Sequence, residues 1–166
     1  MATRHLTPTY RLRPTRAHLR RGNAMLEAAW VLMPFLALFF ALFDFSLSIF
    51  IQNTLRNAAR EGIRYAITQQ TGSSGQDAAI KAIVKSNALG FLPDTSKISI
   101  TYLRGTDLQT VTGTGSNGGG NICIVSISNF TWGLAAPLWQ VINAVTYSVS
   151  SSDVMEAPPN GILPTR

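Results

Sequence analysis

The longest hydrophobic block in the chain lies close to its start and predicts a membrane-spanning helix. Residues 28–43 carry no ionisable side chain, and in the wider window 23–43 Glu27 is the only one. A helix of 21 residues rises about 31 Å, which matches the hydrocarbon core of a bilayer. A carboxylate inside such a segment costs about 3 kcal/mol on insertion scales, so Glu27 needs a functional explanation. Pro34 lies inside the block and predicts a kink, which membrane helices tolerate.

Beyond Asp44 the helical pattern continues but becomes amphipathic, which predicts a stalk helix over residues 44–67. Apolar residues recur at helical spacing on one face, and polar residues occupy the other. Small residues extend the apolar face: Ala58, Ala59, Gly62 and Ala66. Because small side chains let another backbone approach closely, we expect this face to be a packing surface. Packing on the protein's own sheet is the favoured interpretation, and packing on another subunit is the alternative.

Three arginines follow one another on the polar face of the stalk, one helical turn apart: Arg56, Arg60 and Arg64. Like charges at this spacing are mildly unfavourable, and Glu61 offsets part of the repulsion through Arg64. Two interpretations account for these arginines equally well. They form either a solvated helix face or a set of possible contacts with an acidic partner surface.

A second, shorter amphipathic helix is predicted after the stalk. A turn-forming cluster at residues 68–75 precedes it, and we expect the helix to begin at Asp77 and to end near Gly90, with Pro93 beyond. Its apolar face is made of five residues: Ala79, Ile80, Ile83, Val84 and Leu89.

Strand patterns fill the rest of the chain. They lie at residues 98–102, 122–127 and 145–149, and the middle one is apolar almost throughout, as a central strand should be. A glycine-rich stretch at 113–120 is expected to be a flexible hairpin connection, because it lacks the lysine and the spacing of a phosphate-binding loop. Residues 131–142 carry Trp132 and Trp139. This aromatic segment could rest on a membrane, pack on the sheet or face a partner.

The charge of the chain is concentrated at one end. Residues 1–22 contain six arginines and no acid, whereas the remaining residues carry eight basic and eight acidic side chains. The folded part is therefore neutral, which removes the electrostatic argument for nucleic-acid binding. By the positive-inside rule the arginines predict a cytoplasmic N-terminus and a C-terminal part on the far side. A cleaved secretory signal fits less well, because no small-residue cleavage site follows the apolar block.

Cysteine and histidine usage argues against catalysis. Cys123 is the single cysteine, so no intrachain disulfide can form, and its isoleucine neighbours indicate a buried hydrophobe. Both histidines, His5 and His18, lie in the arginine-rich N-terminal segment, residues 1–22. The part of the chain that follows the apolar block therefore lacks the residues of histidine-based triads and of most zinc sites. We expect no enzyme activity, no cofactor and no metal.

The residues around Glu27 form a motif: Arg20-Arg21-Gly22-Asn23-Ala24-Met25-Leu26-Glu27, followed by the apolar helix. This motif resembles a class III (type IVc) prepilin processing site, in which a membrane aspartyl peptidase cuts after the glycine. Ala28 stands where that pattern usually has an aromatic residue. The run 57–66 is similar to the segment after the anchor helix in TadE-like proteins, which are pseudopilins of the Tad (Flp) pilus machinery. The resemblance covers about residues 20–157.

The resemblance implies a role for each motif residue. Cleavage between Gly22 and Asn23 would make Glu27 the fifth residue of the mature chain. Its carboxylate would then pair in lipid with the N-terminal amine of a neighbouring subunit, where an unpaired charge is expensive. The implied partners are the prepilin peptidase, the major Flp pilin and other Tad pseudopilins, the inner-membrane platform proteins and the bilayer.

These observations together predict an α+β protein. A long N-terminal transmembrane and stalk helix is followed by a small periplasmic domain with one further helix and a three-stranded antiparallel sheet. The expected segments are a basic cytoplasmic leader at 1–22, a transmembrane helix at 23–43, a stalk at 44–67, the domain at 68–157 and a tail at 158–166. A minor pseudopilin of a Flp-type pilus is the favoured function. An uncleaved single-pass periplasmic scaffold is the alternative, and an enzyme comes a distant third.

Overall fold

The computed structural model describes residues 17–133 and 144–166, and it confirms the α+β class. The elements in chain order are α1 (Ala17–Ile67), α2 (Gln76–Asn87), β1 (Ile98–Leu103), β2 (Thr110–Val111), β3 (Ile122–Trp132) and β4 (Val145–Val154). The chain divides into two compact units, one ending at Phe39 and the other beginning at Phe40. The second unit contains α2, the whole sheet and the C-terminal half of α1.

Helix α1 begins at Ala17, six residues before the predicted start at Asn23. Alanine, leucine and arginine make up most of this added stretch, and all three are strong helix formers, so the helix extends into the predicted leader. It also continues through Pro34. Residues 1–16 of the predicted leader lie outside the described residues.

The four strands form one antiparallel sheet in the order β2-β1-β3-β4. The prediction of three strands is therefore wrong by one. The missed strand, β2, has only two residues, which pair with Tyr102 and Leu103 of β1. Two residues are too few to give a periodic pattern, so the sequence alone offers no signal for it.

Strand β3 is longer than predicted. The sequence did not reveal its second half, because an irregularity interrupts the strand pattern there. Its pairing with β4 shifts register between Ile127 and Phe130. Ser128 and Asn129 are exposed at that point, and Asn129 has a positive φ of 55°. Two consecutive polar residues resemble a strand end, whereas the bulge resets the alternation and returns Phe130 to the core. Trp132 is therefore the end of a strand, while residues 134–142 of the predicted aromatic segment lie outside the described residues.

Helix α2 also ends earlier than predicted. Ile80 and Val84 are fully buried, as expected for the apolar face. Leu89 is not on that face. It follows the helix with a positive φ of 50° and is 68% exposed. Ala88 is buried in its place, because the turn between Asn87 and Gly90 breaks the helical spacing.

The core of the second unit lies between the stalk part of α1, helix α2 and one face of the sheet. The stalk contributes Ile51, Leu55, Ala58, Ala59, Ile63 and Ala66. Helix α2 contributes Ile80 and Val84, and the sheet contributes Ile98, Tyr102, Cys123, Val125, Ile127, Phe130, Tyr147 and Val149. The amphipathic stripe of the stalk thus covers the protein's own sheet.

Candidate functional site

The predicted processing residues all lie on the N-terminal part of α1. Gly22, Asn23 and Glu27 belong to one continuous helix, so the bond between Gly22 and Asn23 is in helical conformation. Glu27 is exposed and has no ion-pair or hydrogen-bond partner among the described residues. Met25 and Trp30, on either side of it, are 78% and 75% exposed. A carboxylate on an apolar, uncovered helix is what a charge-pairing site between subunits requires.

The apolar block of α1 is exposed almost throughout. One helix segment, Asn23–Ile67, is long and apolar enough to cross a membrane, and only 11% of its most hydrophobic window is buried. A core helix of a water-soluble protein would show the reverse, because large apolar side chains are normally removed from water. The segment is therefore a candidate membrane span, consistent with membrane anchoring.

The small residues of the stalk face its own domain. Ala58, Ala59 and Ala66 are fully buried. At Gly62, an added Cβ would overlap Cγ2 of Val84 and would lie 3.7 Å from Cγ1 of Val125. The backbone of α1 therefore approaches α2 so closely that glycine is required. These residues are used for packing within the chain.

The three arginines of the stalk lie away from this packed face. Arg56, Arg60 and Arg64 are all exposed, and no salt bridge within the described residues involves them. The stalk thus presents a positively charged face to its surroundings while its other face is covered.

A buried polar network, which the sequence did not reveal, closes the C-terminal end of α1. Gln76 is fully buried, and its Nε2 donates to the carbonyl of Ala66 at 3.1 Å. Its Oε1 accepts a 2.6 Å hydrogen bond from Nδ2 of Asn117, which is 1% exposed. Gln69 donates through Nε2 to the carbonyls of Asn117 and Glu156, both at 2.9 Å. The bond from Gln76 gives the carbonyl of Ala66, at the end of α1, a second partner beside the backbone N–H of Gln69, which donates to it at 3.0 Å.

The segment predicted as a tail is part of this network. Nδ2 of Asn117 also donates to the carbonyl of Pro164 at 2.9 Å. The backbone N–H of Gln76 donates to the carbonyl of Thr165 at 2.7 Å. The glycine-rich stretch, predicted to be flexible, is anchored at its centre, because Ser116 and Asn117 are buried. The bonds that tie Ser116 and Asn117 to the rest of the fold join residues 41 to 50 positions apart, so no local pattern could have indicated them.

Arg166 completes the arrangement. Its guanidinium forms a salt bridge with Asp77 at 2.8 Å, donates to Oγ of Ser116 at 2.6 Å and lies 4.6 Å from the ring centroid of Tyr102. The hydroxyl of Tyr102 donates to the same Asp77 at 2.8 Å. Within the part of the chain that the structure describes, the network is thus saturated apart from Oε1 of Gln69, which has no hydrogen-bond partner there. Such saturation indicates a structural clasp.

Burial controls the acidity of the two reactive groups beside the clasp. Removal from water raises the pKa of the Cys123 thiol to about 12, and burial likewise raises the pKa of Tyr102. Both groups are therefore neutral at pH 7. A neutral, buried thiol is a poor nucleophile.

We therefore expect Cys123 to be unreactive in the folded protein. At pH 8, a disulfide reagent such as dithionitrobenzoate should release its chromophore only after denaturant is added. Because the folded pKa lies above the ordinary value of 9.0, this group's contribution to stability is complete below pH 9 and is lost as the pH rises toward 12. Rapid stoichiometric reaction of the native protein at pH 8 would contradict the burial.

The architecture defines a class: a protein with a candidate N-terminal membrane anchor that continues as a stalk into a small α+β domain. Within it, residues 22–64 match the family model described as TadE-like protein. The match begins at Gly22, includes Glu27 and ends at Arg64. It confirms the first part of the resemblance found in the sequence, which extends to about residue 157. No curated protein and no solved structure matches the chain.

Proposed function

We propose that this protein is a minor pseudopilin of a Flp-type pilus, cleaved after Gly22 by a prepilin peptidase and contributing to pilus biogenesis, adhesion or secretion. The observation that carries the proposal is the exposed, unpaired Glu27 on an apolar helix, five residues after Gly22 within a TadE-like match. A lone carboxylate in lipid is costly, and a subunit amine supplied by cleavage offsets that cost.

The proposed partners follow from the same surfaces. The peptidase acts on the bond after Gly22, and other pilin subunits contact the apolar part of α1 through Glu27. The exposed Arg56, Arg60 and Arg64 face an acidic surface of the pilus machine. The buried Ala58, Ala59, Gly62 and Ala66 are occupied within the domain, so no partner contact is assigned to them. The proposed role is non-catalytic.

Processing is the direct test. Cleavage between Gly22 and Asn23 should make the protein lighter by about 2.6 kDa, the approximate mass of residues 1–22. Mass spectrometry of protein extracted from membranes, with and without the prepilin peptidase, measures this difference. An intact N-terminus in cells that contain the peptidase would exclude the pseudopilin function and favour the uncleaved scaffold.

Three variants control this experiment. Gly22→Ala should leave the longer precursor in the membrane. Ala28→Phe supplies the aromatic residue that the processing pattern usually has and should be cleaved at least as fast as the native chain, whereas Ala29→Phe adds the same ring one position away. Equal cleavage of all three variants would show that the peptidase does not read this motif.

Orientation is a separate expectation. The arginines before the span predict a cytoplasmic N-terminus and a periplasmic domain, with anchoring in the bacterial inner membrane. Alkaline phosphatase fused after Arg166 should therefore be active, because that enzyme matures only in the periplasm. Replacing the six leader arginines by glutamine is expected to lower the activity. Cytoplasmic location of the fused enzyme in the native sequence would reverse the assignment.

A further inference from the structure

An apolar surface continues beyond the predicted end of the membrane span and onto the folded domain. Within the second unit, Phe43 is 54% exposed, and the next turns of α1 keep large apolar side chains outward. We call the following set the apolar collar: Phe45, Ile49, Phe50 and Leu89. Their exposures are 65%, 43%, 52% and 68%. On the opposite side of the helix Ile51 and Leu55 are fully buried in the core.

The collar is not confined to the helix. Leu89, from the turn after α2, lines the same groove as Phe50. Phe91 stands edge-on to Phe50 at 6.2 Å between ring centroids and to Trp132 at 5.7 Å. Phe91 and Trp132 are half-buried. A helix, a turn and a strand end therefore present apolar groups at one end of the domain.

Leu89 is the least expected member of the collar. It has a φ of 50°, a left-handed conformation that leucine rarely adopts, and its side chain is uncovered. The side chain of Leu89 therefore lies outside the core and is available to another surface.

The height of the collar along the helix identifies that surface. Phe50 lies seven residues beyond Phe43, which is about 10 Å along the axis. The interfacial layer on each side of the hydrocarbon core is about 5 to 8 Å thick. If the span ends near Phe43, then Phe45 lies within that layer, at about 3 Å, and Ile49 and Phe50 lie at its outer edge, at about 9 and 10 Å.

The charges nearby suit lipid headgroups. The ammonium of Lys97 lies 5.6 Å from the ring centroid of Phe130. The pKa of Asp94 is lowered, first by hydrogen bonds from Ser96 and then by the positive charges of Lys97 and Lys85. Lys97 therefore places a positive charge beside an aromatic residue of the domain. Aromatic rings with lysines around them are typical of membrane–water interfaces.

We propose that the apolar collar rests in the headgroup region of the bilayer, so that the domain sits directly on the membrane surface. The occupant is lipid, because the collar is continuous with the span on the same helix and lies at the level where headgroups begin. The proposal rests on membrane anchoring, which is part of the proposed function, but on neither cleavage nor pilus assembly.

Site-directed spin labelling of the full chain tests it. Leu89→Cys reports on the collar, and Leu108→Cys is its matched control, because Leu108 has a similar φ of 57° and is 61% exposed. Leu108 follows β1 at the end of the sheet opposite to Phe130. Leu38→Cys, in the span, reports on insertion. The buried Cys123 leaves the unsubstituted protein unlabelled, which serves as the blank.

The labelled proteins are reconstituted at one copy per nanodisc of phosphatidylethanolamine and phosphatidylglycerol. Collisions of each nitroxide with oxygen, which concentrates in lipid, are compared with collisions with a water-soluble nickel chelate. At position 89 the oxygen-to-nickel ratio should exceed that at position 108 severalfold and should stay below that at position 38, which lies in the hydrocarbon core.

The other outcomes each overturn the proposal in a distinguishable way. If position 89 behaves like position 108 while position 38 is in lipid, the span is inserted but the domain stands clear of the membrane. If position 89 is shielded from both reagents only when many copies share a vesicle, the collar binds a second copy of the chain. If position 38 is also in water, membrane anchoring itself fails, and the proposed function fails with it.

Discussion

Gly62→Ala is expected to destabilise the folded domain by about 1 to 3 kcal/mol, although alanine normally stabilises a helix. A Cβ at this position would overlap Cγ2 of Val84, so α1 and α2 would have to move apart or Val84 would have to leave its rotamer. The helix-propensity gain of about 1 kcal/mol is too small to compensate. Denaturant titration of the detergent-solubilised full chain, with Cys123 reactivity as the signal for opening, measures the effect.

A double-mutant cycle isolates the contact. Val84→Ala removes the overlapping methyl group, so Gly62→Ala should cost nothing in that background and should add up to about 1 kcal/mol of stability. Ala82→Gly, at an exposed position of α2, gives the propensity difference without any packing term. A Gly62→Ala variant as stable as the native chain would show that the two helices are not in close contact.

Glu27→Ala is expected to abolish pilus assembly while leaving the protein in the membrane. Removing a carboxylate from an apolar span eases insertion by about 3 kcal/mol on insertion scales. The N-terminal amine of the neighbouring subunit would then lack its partner in lipid, which is strongly unfavourable for a buried charge. Immunoblots of sheared pili and of membranes measure assembly and insertion separately.

Glu61 supplies the control for this experiment. It also lies on α1, but in the stalk, and Glu61→Ala removes a carboxylate without changing the span. That variant should assemble at the native level. Normal cleavage of the Glu27→Ala protein together with native amounts in pili would show that the glutamate has no assembly role.

The elements whose hydrophobic pattern repeats many times could be predicted from the sequence, because each repeat adds to the signal. The apolar block and the stalk stripe repeat over many helical turns, and burial of the stripe on the sheet follows from its pattern at residues such as Leu55 and Ala58. The main strands follow from alternation. The bulge before Phe130 and the two-residue strand β2 have no such repeat, so the pattern failed there.

The residues of the candidate site also differ in how far the sequence reveals them. Glu27 is noticeable in sequence because a single charge interrupts an apolar block. Gln76, Asn117 and Arg166 are common polar residues in regions that look like turns, and their importance comes from hydrogen bonds across the fold. The exposure of Leu89 could not be predicted either, because it depends on where α2 ends.

The clasp at the end of α1 has a consequence for the order in which the chain can fold. Its hydrogen bonds join residues 87 and 89 positions apart, between Gln69 and Glu156 and between Asp77 and Arg166. Contacts of such separation are slow to form, because a long loop must close before they contribute any stability. Helix α1 can form as it is synthesised, but the clasp cannot close before residues 164–166 arrive. If the domain crosses a membrane as an extended chain, it must stay open for the whole of that passage.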